Sequence, residues 1–158
     1  MSVRVNAEVF RRIPLFAECD PAHLQVMAFA CDRQEFPSGS SVIRQGETGD
    51  SGYLILRGAA DVLLTEAGVS RAIARVEPGS FIGELGMIAM LPYAVTVAAT
   101  SDVSVARVSR SLFMRVVEEF PDFGVKVMAV LSRKLAGSVS ELKAVQPGFD
   151  QARPFSRR

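Results

Sequence analysis

The side chains and spacing best suited to chemistry lie in GSFIGELGMIAMLPYAV, residues 79 to 95. Gly83 and Glu84 lead directly into Leu85, Ile88 and Ala89, whose spacing predicts a short helix in the midst of strand-like segments. The start of such a helix presents unpaired backbone N–H groups and the positive end of the helix dipole, and a glycine beside it lets a ligand approach closely. That combination suits an anion. The alternative is structural, because an acidic residue in a first turn interacts favourably with the dipole whether or not anything binds.

Other chemistries find little support. His23 is the single histidine; it reads as a packing or surface residue, which leaves a multi-histidine metal centre without ligands. A Ser-His-Asp or Cys-His arrangement would have to recruit it from outside the strand region, and there is no G-x-S-x-G turn. Asp50 follows Gly49 in a turn, where an aspartate supports its own backbone. Cys19 and Cys31 are too far apart for a chelating pair and read as reduced thiols. No catalytic residue, no metal and no cofactor is expected, and the chain does not read as an enzyme.

Three blocks of elements must position this stretch. Asp20 before Pro21, with Leu24, Met27 and Ala28 at helical spacing, predicts a helix over 20–30, and residues 6–12 read as another. From Cys31 to Val108 short apolar runs alternate with turn formers such as FPSG, QGETGDSG, EAGVS and EPGS, the texture of a small β-barrel or sandwich. Helical spacing returns in Ser111 to Glu119. Past Pro121, with Asp122 expected as N-cap, a stripe of Phe123, Val127, Leu131, Leu135, Val139 and Leu142 follows, while Val125 and Met128 lie off it. Arg133 and Lys134 on that helix read as solvated charges, the alternative being a cation-π or polar contact over a bound ligand. The tail 143–158 has no periodicity and reads as flexible. The expectation is a mainly β, α+β domain over 1–142: N-terminal helices 6–30, a jelly-roll barrel of about eight short strands over 31–108, and C-terminal helices 110–142.

Composition agrees with one domain: 158 residues, 49% hydrophobic and 22% charged. Eighteen Lys and Arg balance 17 Asp and Glu for a net charge of +1, which provides no basic field for non-specific DNA binding. The opening MSVRVNAEVFRRIP lacks an apolar signal-peptide core, and no run of about 18 apolar residues occurs. A cytoplasmic protein with no membrane contact is expected.

The stretches FPSGSSVIRQGETGDSGYLILRGAADVLL, EPGSFIGELGMIAMLPYAVTVAAT and RVSRSLFMRVVEEFP resemble the cyclic nucleotide-binding domain of catabolite-activator-type regulators, cyclic-nucleotide-dependent kinases and gated channels. Glycines 39, 46, 49, 58, 79 and 83 fall in that family's turn positions. The resemblance implies a phosphate-binding cassette at Ile82, Gly83, Glu84 and Leu85, with Glu84 accepting from a ribose 2′-hydroxyl. It also implies a closing motif Pro-Arg-Ser/Thr-Ala, against which this chain has Pro92, Tyr93, Ala94 and Val95. Tyr93 then stands where the family's phosphate-clamping arginine would, losing a charge-assisted contact of about 1.5–3 kcal/mol, roughly ten- to over a hundredfold in affinity. Arg71, Arg75 or Arg107 are the candidates to supply the missing cation. Tyr93 reads equally as a ligand contact or as an aromatic closing the pocket. Ala94 lacks the hydroxyl that cGMP-selective members offer, so cAMP is the expected ligand.

The resemblance leaves two functions open: a stand-alone cAMP sensor that signals through its C-terminal helices, or a ligand-free interaction module. A homodimer through helix 122–142 and a protein partner are expected in either case. DNA binding is not, since the chain after Leu142 is too short for an appended helix-turn-helix.

Overall fold

The computed structural model describes residues 5–134 and 136. Helix α1 (Ala7–Arg11) starts at Asn6, whose side chain accepts from Val9 N, and a 3-10 turn (Pro14–Phe16) follows. Helix α2 (Pro21–Ala30) begins as its sequence predicts: the Asp20 carboxylate accepts from Ala22 N at 2.8 Å and Pro21 occupies the first turn. Eight strands come next: β1 (Asp32–Phe36), β2 (Ser41–Ile43), β3 (Ser51–Arg57), β4 (Ala60–Glu66), β5 (Val69–Val76), β6 (Phe81–Ile82), β7 (Thr96–Ala99) and β8 (Val103–Ser109). Helix α3 (Glu84–Ala89) is inserted between β6 and β7.

The strands form a jelly roll of two antiparallel sheets, ordered β1-β8-β3-β6 and β2-β7-β4-β5. The expected closed barrel is thus a pair of open sheets. The edges explain it: β6 has two residues before the chain turns into α3, and β5 pairs only with β4. The two faces of the first sheet are both covered. Leu54, Leu56, Ala106 and Val108 face the helices, whereas Ile55, Val103 and Val105 face the second sheet. Burial on both sides is why β3 and β8 read as nearly unbroken apolar runs.

The helical side is centred on Phe16, whose ring meets Phe10, Phe81 and Phe123 at 5.5–6.1 Å. Helix α4 (Arg110–Glu119) is capped by the Ser109 hydroxyl, which accepts from Leu112 N. Helix α5 (121–134) begins at Pro121. Asp122, expected as its N-cap, instead lies in the first turn and pairs with Lys126 at 3.2 Å, because proline's fixed backbone angle suits the first helical position. Phe123, Val127 and Leu131 are buried, while Val125 and Met128 are exposed; the rest of the stripe, Leu135, Val139 and Leu142, and the tail 143–158 lie outside the described residues. His23 stacks on Phe120 with centroids 4.2 Å apart. Among the described residues no helix is long and apolar enough to cross a membrane.

Candidate functional site

Ile82 pairs with Tyr53 across β6 and β3 and delivers the chain to Gly83, which takes a left-handed conformation (φ 80°) as N-cap of α3. Glycine is required there twice over, since a β-carbon would be strained and would sit 2.8 Å from Ser51 O. Behind α3, Gly86 and Gly49 are pressed together so closely that a β-carbon on Gly49 would meet Gly86 Cα at 2.6 Å. The helix therefore lies directly on the loop 46–51, and only glycines permit the approach.

The helix is where Leu85, Ile88 and Ala89 place it, but of these three only Ile88 packs against the core. Gly86 and Met87 are buried; Leu85 and Ala89 are exposed. A helix of six residues has too few turns for periodicity to identify the inner face, and here the Gly49–Gly86 contact sets it.

Tyr93 closes the turn. Its ring Cε1 lies close to Gly49, Gly83 and Gly86, within 2.8–3.1 Å of where their β-carbons would be. Its hydroxyl donates to Ser51 O at 2.9 Å, its N–H donates to Glu47 O, and its carbonyl accepts from Gly46 N. Burial pushes the phenol above its ordinary pKa of 10, so at neutral pH it is an uncharged donor. Of its neighbours, Ala94 is exposed, and Val95 is half-buried against the core between the sheets.

Glu84 is 18% exposed, and its carboxylate accepts from Lys134 Nζ of α5 at 2.7 Å. Arg133, the residue before, pairs with Glu18. The two cations expected to be merely solvated thus tie the end of α5 to two separate elements. The three arginines considered as substitutes for a clamp are engaged elsewhere: Arg71 with Glu66 at 3.7 Å, Arg75 with Asp61 at 3.7 Å, and Arg107 with Asp32 at 3.2 Å. Ile82, Gly83, Glu84, Leu85 and Tyr93 converge on one turn. Arg71 instead faces the hairpin of edge strand β5.

Two participants were not legible in the sequence. Arg110 donates from its guanidinium to Met87 O (3.2 Å) and to Ile88 O, carbonyls in the last turn of α3, while its backbone N–H donates to Asp50 O at 2.7 Å. It links α4, α3 and the loop 46–51, and only the arginine's position just after β8 hinted at a capping role. Lys134 is the second: its helix offered it, with Arg133, as a solvated charge or a group reaching over a bound base, and not as the partner of Glu84.

The jelly roll with its flanking helices has counterparts among known proteins. The model for the cyclic nucleotide-binding domain matches residues 33–120. The chain belongs to the cyclic nucleotide-binding domain family. A cAMP-dependent protein kinase regulatory subunit from Colletotrichum orbiculare is 31% identical over 112 residues, 71% of this chain and 28% of that protein. The chain thus corresponds to little more than a quarter of that relative's length. Among solved structures, a cyclic nucleotide-binding-like protein from Brucella abortus superposes with a TM-score of 0.65 at 27% identity, over 72% of this chain and 97% of that one. A triple mutant of the regulatory subunit of a cAMP-independent protein kinase A from Trypanosoma brucei, bound to cAMP in its A site, superposes with a TM-score of 0.67 at 27% identity. That match covers 80% of this chain and 44% of the trypanosome chain.

Proposed function

We propose that this chain is a stand-alone regulatory domain that binds a cyclic nucleotide, cAMP in preference to cGMP, and passes occupancy to a protein partner through its C-terminal helices. The observation that carries the reading is Glu84, a mostly buried carboxylate at the first position of α3, directly after the left-handed Gly83. In this reading the ribose 2′-hydroxyl donates to Glu84, Ile82 and Leu85 flank the sugar, and Ala94 and Val95 border the base, with no hydroxyl at Ala94 to reward guanine. Binding is weak because the position of the guanidinium is taken by a neutral phenol whose hydroxyl donates to Ser51 O.

Calorimetric titration with cAMP and cGMP tests it. The expected result is cAMP binding in the high-micromolar to millimolar range, weaker cGMP binding, and a gain of about tenfold or more for Tyr93→Arg. No heat from either nucleotide at millimolar concentration, in native protein and variant alike, overturns it.

One observation favours a second reading, in which the pocket is empty by design and the domain is an interaction module: the Tyr93 ring fills the cradle of Gly49, Gly83 and Gly86. The trypanosome relative is described as part of a cAMP-independent kinase, and one of the three changes in its cAMP-bound mutant introduces an arginine. Binding by Tyr93→Arg alone selects this reading. In both, two copies pair through residues 122–142, whose described part exposes Val125 and Met128; a monomer by sedimentation equilibrium at high concentration removes that element.

A further inference from the structure

We infer that Lys134 is the cation of this pocket, supplying from α5 the positive charge that the turn around Tyr93 lacks. The inference rests on the reading of Glu84 as the ribose acceptor and names a ligand-contacting residue beyond it. Two facts carry it. Arg71, Arg75 and Arg107 pair with Glu66, Asp61 and Asp32, none of them in this turn, whereas Lys134 Nζ sits 2.7 Å from Glu84 Oε2. The ammonium also has three donors and is 60% exposed on its side chain, so the Glu84 contact leaves N–H groups free to turn toward an arriving anion.

The chemistry of the ligand favours the same place. In a 3′,5′-cyclic nucleotide the 2′-hydroxyl is on the carbon next to the one carrying the phosphate ester. A cation resting on the carboxylate that accepts from that hydroxyl is therefore a short side-chain rotation from the phosphate. Without it, Glu84 would set a bare negative charge beside the anion, and like charges oppose binding. Lys134 neutralises the carboxylate and attracts the phosphate at once.

Its origin has a mechanical consequence. A clamp belonging to the turn itself would hold ligand to α3 alone. A clamp on α5 makes the ligand's anion a bridge between α3 and the last helix, so binding tightens the α3–α5 contact and α5 reports occupancy directly. Arg133, the residue before, pairs with Glu18 instead.

The test is calorimetry on the full chain with cAMP and, as a neutral probe carrying the same 2′-hydroxyl, adenosine. Native protein, Lys134→Met, Lys134→Arg and Arg133→Met are compared, with thermal melting to confirm that each variant folds. Lys134→Met is expected to weaken cAMP binding about tenfold, at the low end for a charge-assisted contact because the ammonium is more than half exposed. It should leave adenosine within about twofold, Lys134→Arg should retain cAMP, and Arg133→Met should change neither appreciably. Equal or tighter cAMP binding by Lys134→Met overturns the inference while leaving the pocket reading intact, since the lysine would then compete with ligand for Glu84. An equal loss for cAMP and adenosine overturns it as well, because the contact would not be to the phosphate. Absence of all binding by native protein overturns the pocket reading, and the role of Lys134 with it.

Discussion

At the Tyr93 end of the α3 turn, an aromatic ring lies against three glycines and its hydroxyl donates to a backbone carbonyl, so every group is satisfied from within the fold. At the Glu84 end, a single carboxylate meets an ammonium that is largely in water. The first arrangement is maintained by backbone packing that cannot adjust without moving a loop, the second by a flexible side chain that can leave at little cost. One end of the turn is therefore built as structure, and the other remains open to exchange with a ligand.

The sharpest way to break the Tyr93 end is to enlarge its glycines. Gly49→Ala would set a β-carbon 2.6 Å from Gly86 Cα and 2.8 Å from Leu91 O, both backbone atoms. The expected loss is about 3 kcal/mol of stability in urea unfolding, the upper part of the range for overpacking. A loss under about 1 kcal/mol would mean that the loop and helix separate readily, and the contrast between the two ends would fade.

Tyr93→Phe keeps the ring and removes the hydroxyl from Ser51 O. A loss of about 1 kcal/mol is expected by the same measurement, the usual size of one hydrogen bond. Alkaline titration sharpens this. Because burial raises the Tyr93 pKa above 10, the folded state favours the protonated phenol. The stabilisation it provides is complete below about pH 10 and declines as pH rises through the folded pKa. Native protein should lose stability across that window faster than Tyr93→Phe; parallel curves would show that the phenol is not held.

The Glu84 end should respond least in the absence of ligand. Lys134→Met is expected to change unfolding stability by less than about 1 kcal/mol, since one partner of the pair is mainly solvated. A larger loss would place the ion pair among the supports of the fold and bring the two ends closer in character. The thiols provide a control on the packed side: burial raises Cys19 and Cys31 to about 11. Alkylation of native protein at pH 8 should be slow compared with the urea-unfolded chain, by mass spectrometry.

Much of this architecture was legible in residue types alone. Asp20 with Pro21 and the alternation of turn formers with short apolar runs are local signals, because caps and turns act within a few residues of themselves. The insertion of α3 was readable for the same reason, and so was Glu84 at its start. Sheet closure and the inner face of α3 were not, since both depend on which distant strand or loop becomes a neighbour. A six-residue helix carries no dependable period, and Gly49 and Gly86 look like ordinary turn glycines until they meet.

The sequence by itself determined the order of helices and strands, the two turns of chain that bracket the site, and the presence of a neutral phenol at position 93, all matters of local backbone preference and residue chemistry. Only the tertiary structure decided that the phenol is seated among three glycines and that the charge on Glu84 is met by Lys134, 50 residues further along. Those contacts join parts of the chain with no local interaction between them, and they follow from how α3 and α5 pack against one sheet rather than from any pattern a single segment carries.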